Sequence, residues 1–438
     1  MSEQEASQQQ TQGPGTLDPL PTTLEEETGP DAAENWIHKL LRTIFSPSAG
    51  TVAIAIVVAL IIGALIVVAF DSKVQQTAGY LFAAPGDFFG AVWHAFSSFF
   101  TALFRGSIFD WTQPTAAAAF RPLTETVVRS IPLIIAGLAI AVAFTGGMFN
   151  IGVQGQIIIG ALVGGYVGFA WNLPIVIHVL VAMVAAVIGG ALWGFIPGIL
   201  RARLGANEVI VTIMLNSIAL FFLAAMLNTT TFHGSGYAGK SMAVKTTAMY
   251  PQLLGSNFRL HFGFIVAILA AIFVWWLLDR STIGFELRAA GANPEAARTA
   301  GINVKNTIMW TLVISGALAG LAATAPVLGT EKAITGGVAG TIGFDAITVA
   351  LLGRSRPLGV FFAGLLFGGL NAGGALMQSS AGIPVEIVQI TQAVIVLMIA
   401  ASEAIRYARK KRAEKEKTVQ KVEEAPAPVD AEAKGVVA

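Results

Sequence analysis

Apolar residues run through this chain in long blocks separated by short polar or basic connections. The blocks fall at about 51–70, 128–147, 151–171, 174–198, 208–227, 262–278, 308–327, 342–353, 358–377 and 385–403. A helix needs roughly 20 apolar residues to cross a hydrocarbon core about 30 Å thick, and the stretch from Thr51 to Phe70 supplies them without a charge. The pattern predicts an all-α membrane protein, a polytopic bundle of about ten transmembrane helices. Residues 1–34 and 406–438 are polar and poor in large apolar side chains. Such segments bury too little apolar area to offset the cost of ordering, so they read as disordered tails on a membrane domain spanning 35–405.

One apolar segment has a different rhythm. In "APGDFFGAVWHAFSSFFTALFRG" the residues Phe89, Trp93, Phe96, Phe100 and Phe104 recur at helical spacing, with Ser, His and Asp between them. It is either an interfacial helix lying on the outer surface or a cap packed on the bundle. Arg105 and the Pro-Gly start weigh against a further span. Within the spans, glycine-rich stretches such as "GALVGGYVGF" and "FFAGLLFGGLNAGGAL" predict helices that approach closely, because small residues let backbones pack in lipid.

Composition agrees with the pattern: 55% of the 438 residues are hydrophobic and only 12% are charged, where a soluble domain carries about a quarter charged. The formal net charge of +1 gives no reason to expect a nucleic-acid partner. With no cysteine there are no disulfides or thiolate metal sites, and the five histidines have no metal-ligand spacing. No cleavable signal peptide is expected, since the first apolar span follows a long polar tail. Basic residues around the spans set the expected orientation. Both termini are expected in the cytoplasm, with Arg201 and Arg203, the 279–307 loop, Arg354 and Arg356, and the tail beginning at Arg406 on the inner side.

Between Ser130 and Leu200 there is no Asp, Glu, Lys or Arg, yet "GMFNIGVQGQIIIGA" carries Asn150, Gln154 and Gln156. An amide facing lipid must find partners or lose several kcal/mol, on the order of the desolvation cost of a polar group. These amides therefore either bond between helices or line a wet cavity for a neutral, hydrogen-bonding solute. Asn150 and Gln154 share a helix face. Asn216 lies within a span, and Glu208 opens that span where the helix dipole favours an acid. Glu331 and Asp345 flank "KAITGGVAGTIGF", and ionisable groups there are functional candidates. "NIGVQGQIIIGAL" and "TIGFDAITVALL" align Gln154 with Asp345 in the manner of an inverted repeat, whose interface is where transporters place solute sites. Asn150, Gln154, Gln156, Glu208, Asn216, Glu331, Phe344 and Asp345 are the candidate pathway residues. Phe344 is either a stacking surface for a base or ordinary packing.

The longest inner loop reads "DRSTIGFELRAAGANPEAARTAGINVKNT". Pro294 at a helix start, Glu295 near its positive end and Gly301 as a C-cap predict a short helix along the membrane. "LRAAGANPEAARTAGI" resembles the coupling loop of ABC-importer permeases. "FNIGVQGQIIIGA", "ANEVIVTIMLN" and "GFDAITVALLGRSRPLG" resemble the branched-chain and simple-sugar type, in its nucleoside branch associated with BMP lipoproteins. The resemblance covers about residues 50–405. It implies a type II importer fold and a second permease subunit, forming a heterodimer around the pathway. It further implies an extracellular substrate-binding lipoprotein, a cytoplasmic ABC ATPase and a bacterial cell membrane location. Arg288, Asn293, Glu295, Ala296, Arg298 and Gly301 would form the ATPase-coupling surface. ATP would be used by the partner, since this chain has no G-x-x-x-x-G-K-[ST] loop, and no cofactor is expected on the chain itself. The implied function is nucleoside import, with a simple sugar such as ribose as the alternative. One departure stands out: the family commonly has Glu where this chain has Gln154. A gradient-driven secondary transporter is the rival reading, weakened by the absence of an acidic relay paired with Lys or Arg. A non-transporting scaffold would leave the amides and the coupling-like loop unexplained.

Overall fold

A computed structural model of the chain describes residues 47–234, 239–255, 257–398 and 401. The tails expected to be disordered, with His38 and the basic cluster from Arg406, lie outside the described residues. Contacts separate residues 1–50 from 51–438, and the packing below concerns the second unit.

Every predicted span has a helical counterpart. Among the described residues, eight helices are long and apolar enough to cross a membrane. They are α1 (Pro47–Phe70), α3 (Arg121–Thr145), α4 (Val153–Ala170), α5 (Ile175–Leu204), α6 (Glu208–Leu227), α7 (Gly263–Arg280), α10 (Val304–Thr324) and α12 (Pro357–Ala381). Between α1 and α3 lies α2 (Pro85–Ser107), and between α7 and α10 lie α8 (Thr282–Ala292) and α9 (Pro294–Thr299). The two remaining predicted spans are the shorter apolar helices α11 (Ile342–Leu352) and α13 (Glu386–Met398). At 1.5 Å per residue the 11 residues of α11 reach about 16 Å, roughly half the hydrocarbon core. Local signals set the ends: α5 runs on past the apolar block to Leu204, where Gly205 takes φ 66°, and Asn207 then caps α6 through Val209 N at 3.0 Å.

α3 is the central helix, with its side chains buried almost without a break from Ser130 to Ala143. A helix apolar on every side is one enclosed by its neighbours. α5 and α10 meet along a glycine seam: a Cβ on Gly190 would lie 2.7 Å from Gly320 Cα, and one on Gly194 3.2 Å from Gly316 Cα. In lipid, close packing of this kind takes over the role that water-driven burial has in soluble proteins.

α2 packs on the bundle, as the cap reading of its sequence expects. Ala95, Phe99, Ala102 and Gly106 are buried, and a Cβ on Gly106 would sit 2.8 Å from Gly373 Cα of α12. Phe89 and Trp93 stay exposed on another face. Its end is secured by Asp110, which accepts from Arg105 Nε at 2.8 Å and Thr112 Oγ1 at 2.7 Å. Arg105 first, with the other donors, holds this buried carboxyl well below the usual carboxylate range despite the opposing effect of burial.

Candidate functional site

Two interruptions in the helices create the site. α3 ends at Thr145 and the chain turns through Gly146–Gly152 before α4 begins. α10 gives way to a π-helical turn at Ala325–Thr330, then to a loop that leads into α11. Single π turns commonly mark places where a helix has been adapted to a function. The loop from Glu331 is held by its neighbours: Val244 N donates to Lys332 O at 2.9 Å, and Ile334 N donates to Ser241 Oγ at 2.8 Å.

The N-terminal turns of α4 and α11 meet through one side chain. Gln154 Nε2 donates to Gly340 O at 2.7 Å, and Gln154 Oε1 accepts from Gly343 N at 2.8 Å. The second bond satisfies one of the backbone donors left open in the first turn of α11. The two segments with the aligned Ile-Gly steps are thus in direct contact.

Beside this junction, reaching it at Gly340 and Ile342, is a cleft of about 310 Å³. Its walls include Glu125, Arg129 and Pro132 of α3, Glu331 and Thr341 of the loop, Asp345 of α11, Asn371 of α12, and Arg259. Arg259 pairs with Glu125 at 3.3 Å, Thr335 Oγ1 donates to Glu331 Oε2 at 2.9 Å, and Thr341 Oγ1 donates to Asp345 Oδ2 at 2.8 Å. Glu125, Glu331 and Asp345 face Arg129 and Arg259, so the lining carries three acids against two bases. Among the described residues no aromatic side chain lines it.

Behind the π turn, His261 is buried and stacks on Tyr250, with ring centroids 5.6 Å apart. Gly263 N donates to His261 Nδ1 at 3.2 Å, and Tyr250 OH donates to Thr324 Oγ1 at 2.7 Å. Burial first, then the positive charges of Arg259 and Lys332, lower the His261 pKa to about 4, while burial pushes the Tyr250 hydroxyl up.

Of the eight candidate pathway residues, Glu331 and Asp345 line the cleft, and Gln154, itself outside the lining, bonds to Gly340 at its edge. Asn150 and Gln156 are buried and bonded to one another, Asn150 Nδ2 to Gln156 Oε1 at 3.0 Å and to Ser315 Oγ at 2.8 Å. Asn216 braces the start of α4, accepting from Gly155 N at 2.8 Å and donating to Ile151 O at 3.0 Å. Glu208 pairs with Arg201 at 3.3 Å across the α5–α6 turn, away from the cleft lining. Phe344 is half exposed and is not part of the lining. Sequence reasoning missed Glu125, Arg129, Arg259 and Asn371. The amide of Asn371, set in a Gly-rich apolar run, was the same kind of signal as Asn150.

The six candidate coupling residues fall on or beside α8 and α9. Asn293 Oδ1 accepts from Glu295 N at 3.0 Å and Ala296 N at 3.1 Å, Pro294 opens α9, and Gly301 takes φ 85° beyond its end. Arg288, Glu295, Ala296 and Arg298 are exposed, while Ala297 turns inward against Ala290 and Val304. Arg298 pairs with Glu295 at 3.0 Å on the surface. α8 reaches the α3–α4 turn by a backbone contact: a Cβ on Gly147 would lie 2.9 Å from Gly291 Cα.

Residues 123–402 match the family described as branched-chain amino acid transport system / permease component. The chain is 44% identical to the guanosine ABC transporter permease protein NupP of Bacillus subtilis, over 65% of this chain and 82% of the relative. It is 38% identical to the nucleoside ABC transporter permease protein NupB of Lactococcus lactis, over 65% and 81%. It is 34% identical to the glucose ABC transporter permease protein TsgB13 of Haloferax volcanii, over 64% and 76%. No solved structure matches the chain.

Proposed function

We propose that this chain, which belongs to the branched-chain amino acid transport system / permease component family, carries nucleosides through the membrane as the permease subunit of an ATP-driven importer. ABC permeases are pore-forming membrane components and not the enzymes that hydrolyse ATP, and this chain is a multi-pass protein of that kind. Of the solutes named for its relatives, guanosine, nucleosides and glucose, guanosine and glucose each have a ring bearing vicinal hydroxyls. The stronger identity lies with the nucleoside permeases, which favours that class over a simple sugar.

The observation that carries the reading is the cleft at the junction of two broken helices. Its charges are largely compensated, which suits a neutral solute that exchanges water for hydrogen bonds. Gln154 would hold the half-helix α11 in place beside the solute. The exposed face of α8 and α9 would dock on a cytoplasmic ATPase, with a second permease subunit closing the pathway and an external lipoprotein delivering solute. The Gly147–Gly291 contact links that docking surface to the α3–α4 turn and hence to α4. Docking need only favour one pore conformation by a few kcal/mol of differential contact. In this arrangement both termini are cytoplasmic.

The test is uptake of labelled uridine, adenosine, ribose and leucine by cells deleted for the gene and restored with wild type. Loss of uridine and adenosine uptake on deletion, with rescue, is the expected result. A defect confined to ribose keeps the importer and replaces the solute; a defect confined to leucine removes both sugar-containing readings.

A further inference from the structure

We infer that the cleft binds the hydroxylated sugar of the solute and not its base, with Asn371 as the donor that reads it. The inference rests on the transport reading above and names the part of the solute recognised by this subunit.

Asn371 lines the cleft from α12, and Gln392 of α13, itself buried, donates its Nε2 to Asn371 Oδ1 at 2.9 Å. An amide has one accepting and one donating end. With the carbonyl engaged by Gln392, the NH2 group is the end left for the cleft, and among the described residues it makes no other hydrogen bond. Asp345 supplies the complement. One carboxylate oxygen accepts from Thr341 Oγ1 at 2.8 Å, and the group as a whole can accept further bonds. A hydroxyl both donates and accepts, so one member of a vicinal diol can donate to Asp345 while accepting from Asn371.

The other parts of a nucleoside find little here. A base gains about 1–3 kcal/mol from stacking on an aromatic face in addition to the hydrogen bonds of its edge, and among the described residues no aromatic side chain lines the cleft. A phosphate would meet Glu125, Glu331 and Asp345 as well as Arg129 and Arg259, so it would add charge to a lining already one acid past compensation. The sugar is the portion whose chemistry matches.

The experiment compares initial uptake of uridine, 2′,3′-dideoxyuridine, ribose and uracil by cells carrying the complete transporter as wild type, Asn371→Asp or Asn371→Ala. Asn371→Asp retains an acceptor for Gln392 and loses the donor; Asn371→Ala loses both, so either variant serves if the other fails to reach the membrane. Any external binding protein is the same in all strains and cancels from the variant-to-wild-type ratio. Expected is a fall of about tenfold in uridine and ribose uptake, the loss of roughly one hydrogen bond, with 2′,3′-dideoxyuridine uptake unchanged. An equal fall for uridine and 2′,3′-dideoxyuridine, or wild-type uptake of uracil as fast as that of uridine, overturns the sugar assignment while leaving nucleoside import standing. Transport of ribose without uridine, with the same sensitivity to Asn371, removes the nucleoside reading and keeps the sugar site. If the variants move none of these ratios, Asn371 does not touch the solute.

Discussion

Gln154 accepts the backbone N–H of Gly343 at 2.8 Å, so a side chain of α4 completes the first turn of α11. Its amide nitrogen donates at the same time to Gly340 O at 2.7 Å. Only a group with both a donor and an acceptor can bridge these two backbone positions. A carboxylate can accept from Gly343 but repels the carbonyl of Gly340. The glutamine at this position is therefore matched to the backbone it braces.

Replacing that amide should loosen the start of α11 and the Gly340 edge of the cleft. Gln154→Glu is expected to destabilise the protein by about 1–3 kcal/mol, the usual cost of breaking a hydrogen bond at a partly buried site, and Gln154→Leu to lower uptake as well. Thermal midpoints of the detergent-purified variants and uptake at equal membrane abundance check this. Wild-type values for Gln154→Leu would show that α11 does not depend on the clamp.

The proposed docking surface should tolerate change in stability but not in function. Glu295 and Ala296 are exposed, and the Glu295–Arg298 pair lies on the surface, where such pairs contribute about 0–1 kcal/mol. Glu295→Arg and Ala296→Trp are expected to abolish uptake with normal membrane abundance. Ala297→Trp, directed at the buried contact with Ala290 and Val304, should instead reduce abundance. Normal uptake by the first two variants would remove this surface from the coupling step.

The glycine seam predicts a contrast between two alanine substitutions. A Cβ on Gly320 would meet the backbone of Ala186 and lie 3.1 Å from Gly190 Cα, whereas nothing lies within 4 Å of the corresponding position at Gly86. Gly320→Ala should cost about 1–3 kcal/mol through overpacking, while Gly86→Ala should be neutral or slightly stabilising. Thermal unfolding of the two proteins side by side measures the difference.

Acid should weaken the fold through His261. Its pKa is lowered to about 4 in the folded protein, against about 6.5 in an unfolded chain. The unfolded state therefore binds a proton that the folded state excludes between these values. The contribution of the neutral ring is complete above about pH 6.5 and declines as the pH falls toward 4. The thermal midpoint is expected to drop through that window more steeply for wild type than for His261→Gln. Parallel curves would show that this ring does not govern the response.

Sequence alone determined the class of protein, the positions of nearly all the helices and the short helix of the 279–307 loop. These follow from local rules: apolar length sets a span, and Pro294, Asn293 and Gly301 set the ends of α9 whatever packs around it. Local reasoning also identified several of the polar residues that a lipid environment cannot leave without partners, though not Asn371. It could not say which partners each would take. Asn150 and Gln156 satisfy one another across six residues, and Asn216 braces α4 from a helix more than 60 residues away. Asp345, by contrast, shares a cleft with Arg129, Arg259 and Asn371, drawn from four distant stretches of chain. An amide buried as a brace and an amide lining a cleft look alike in one dimension, because both need only a polar neighbour. Whether that neighbour is another residue or open space was decided by the tertiary packing of α3, α11 and α12, which alone sets where the space between helices remains open.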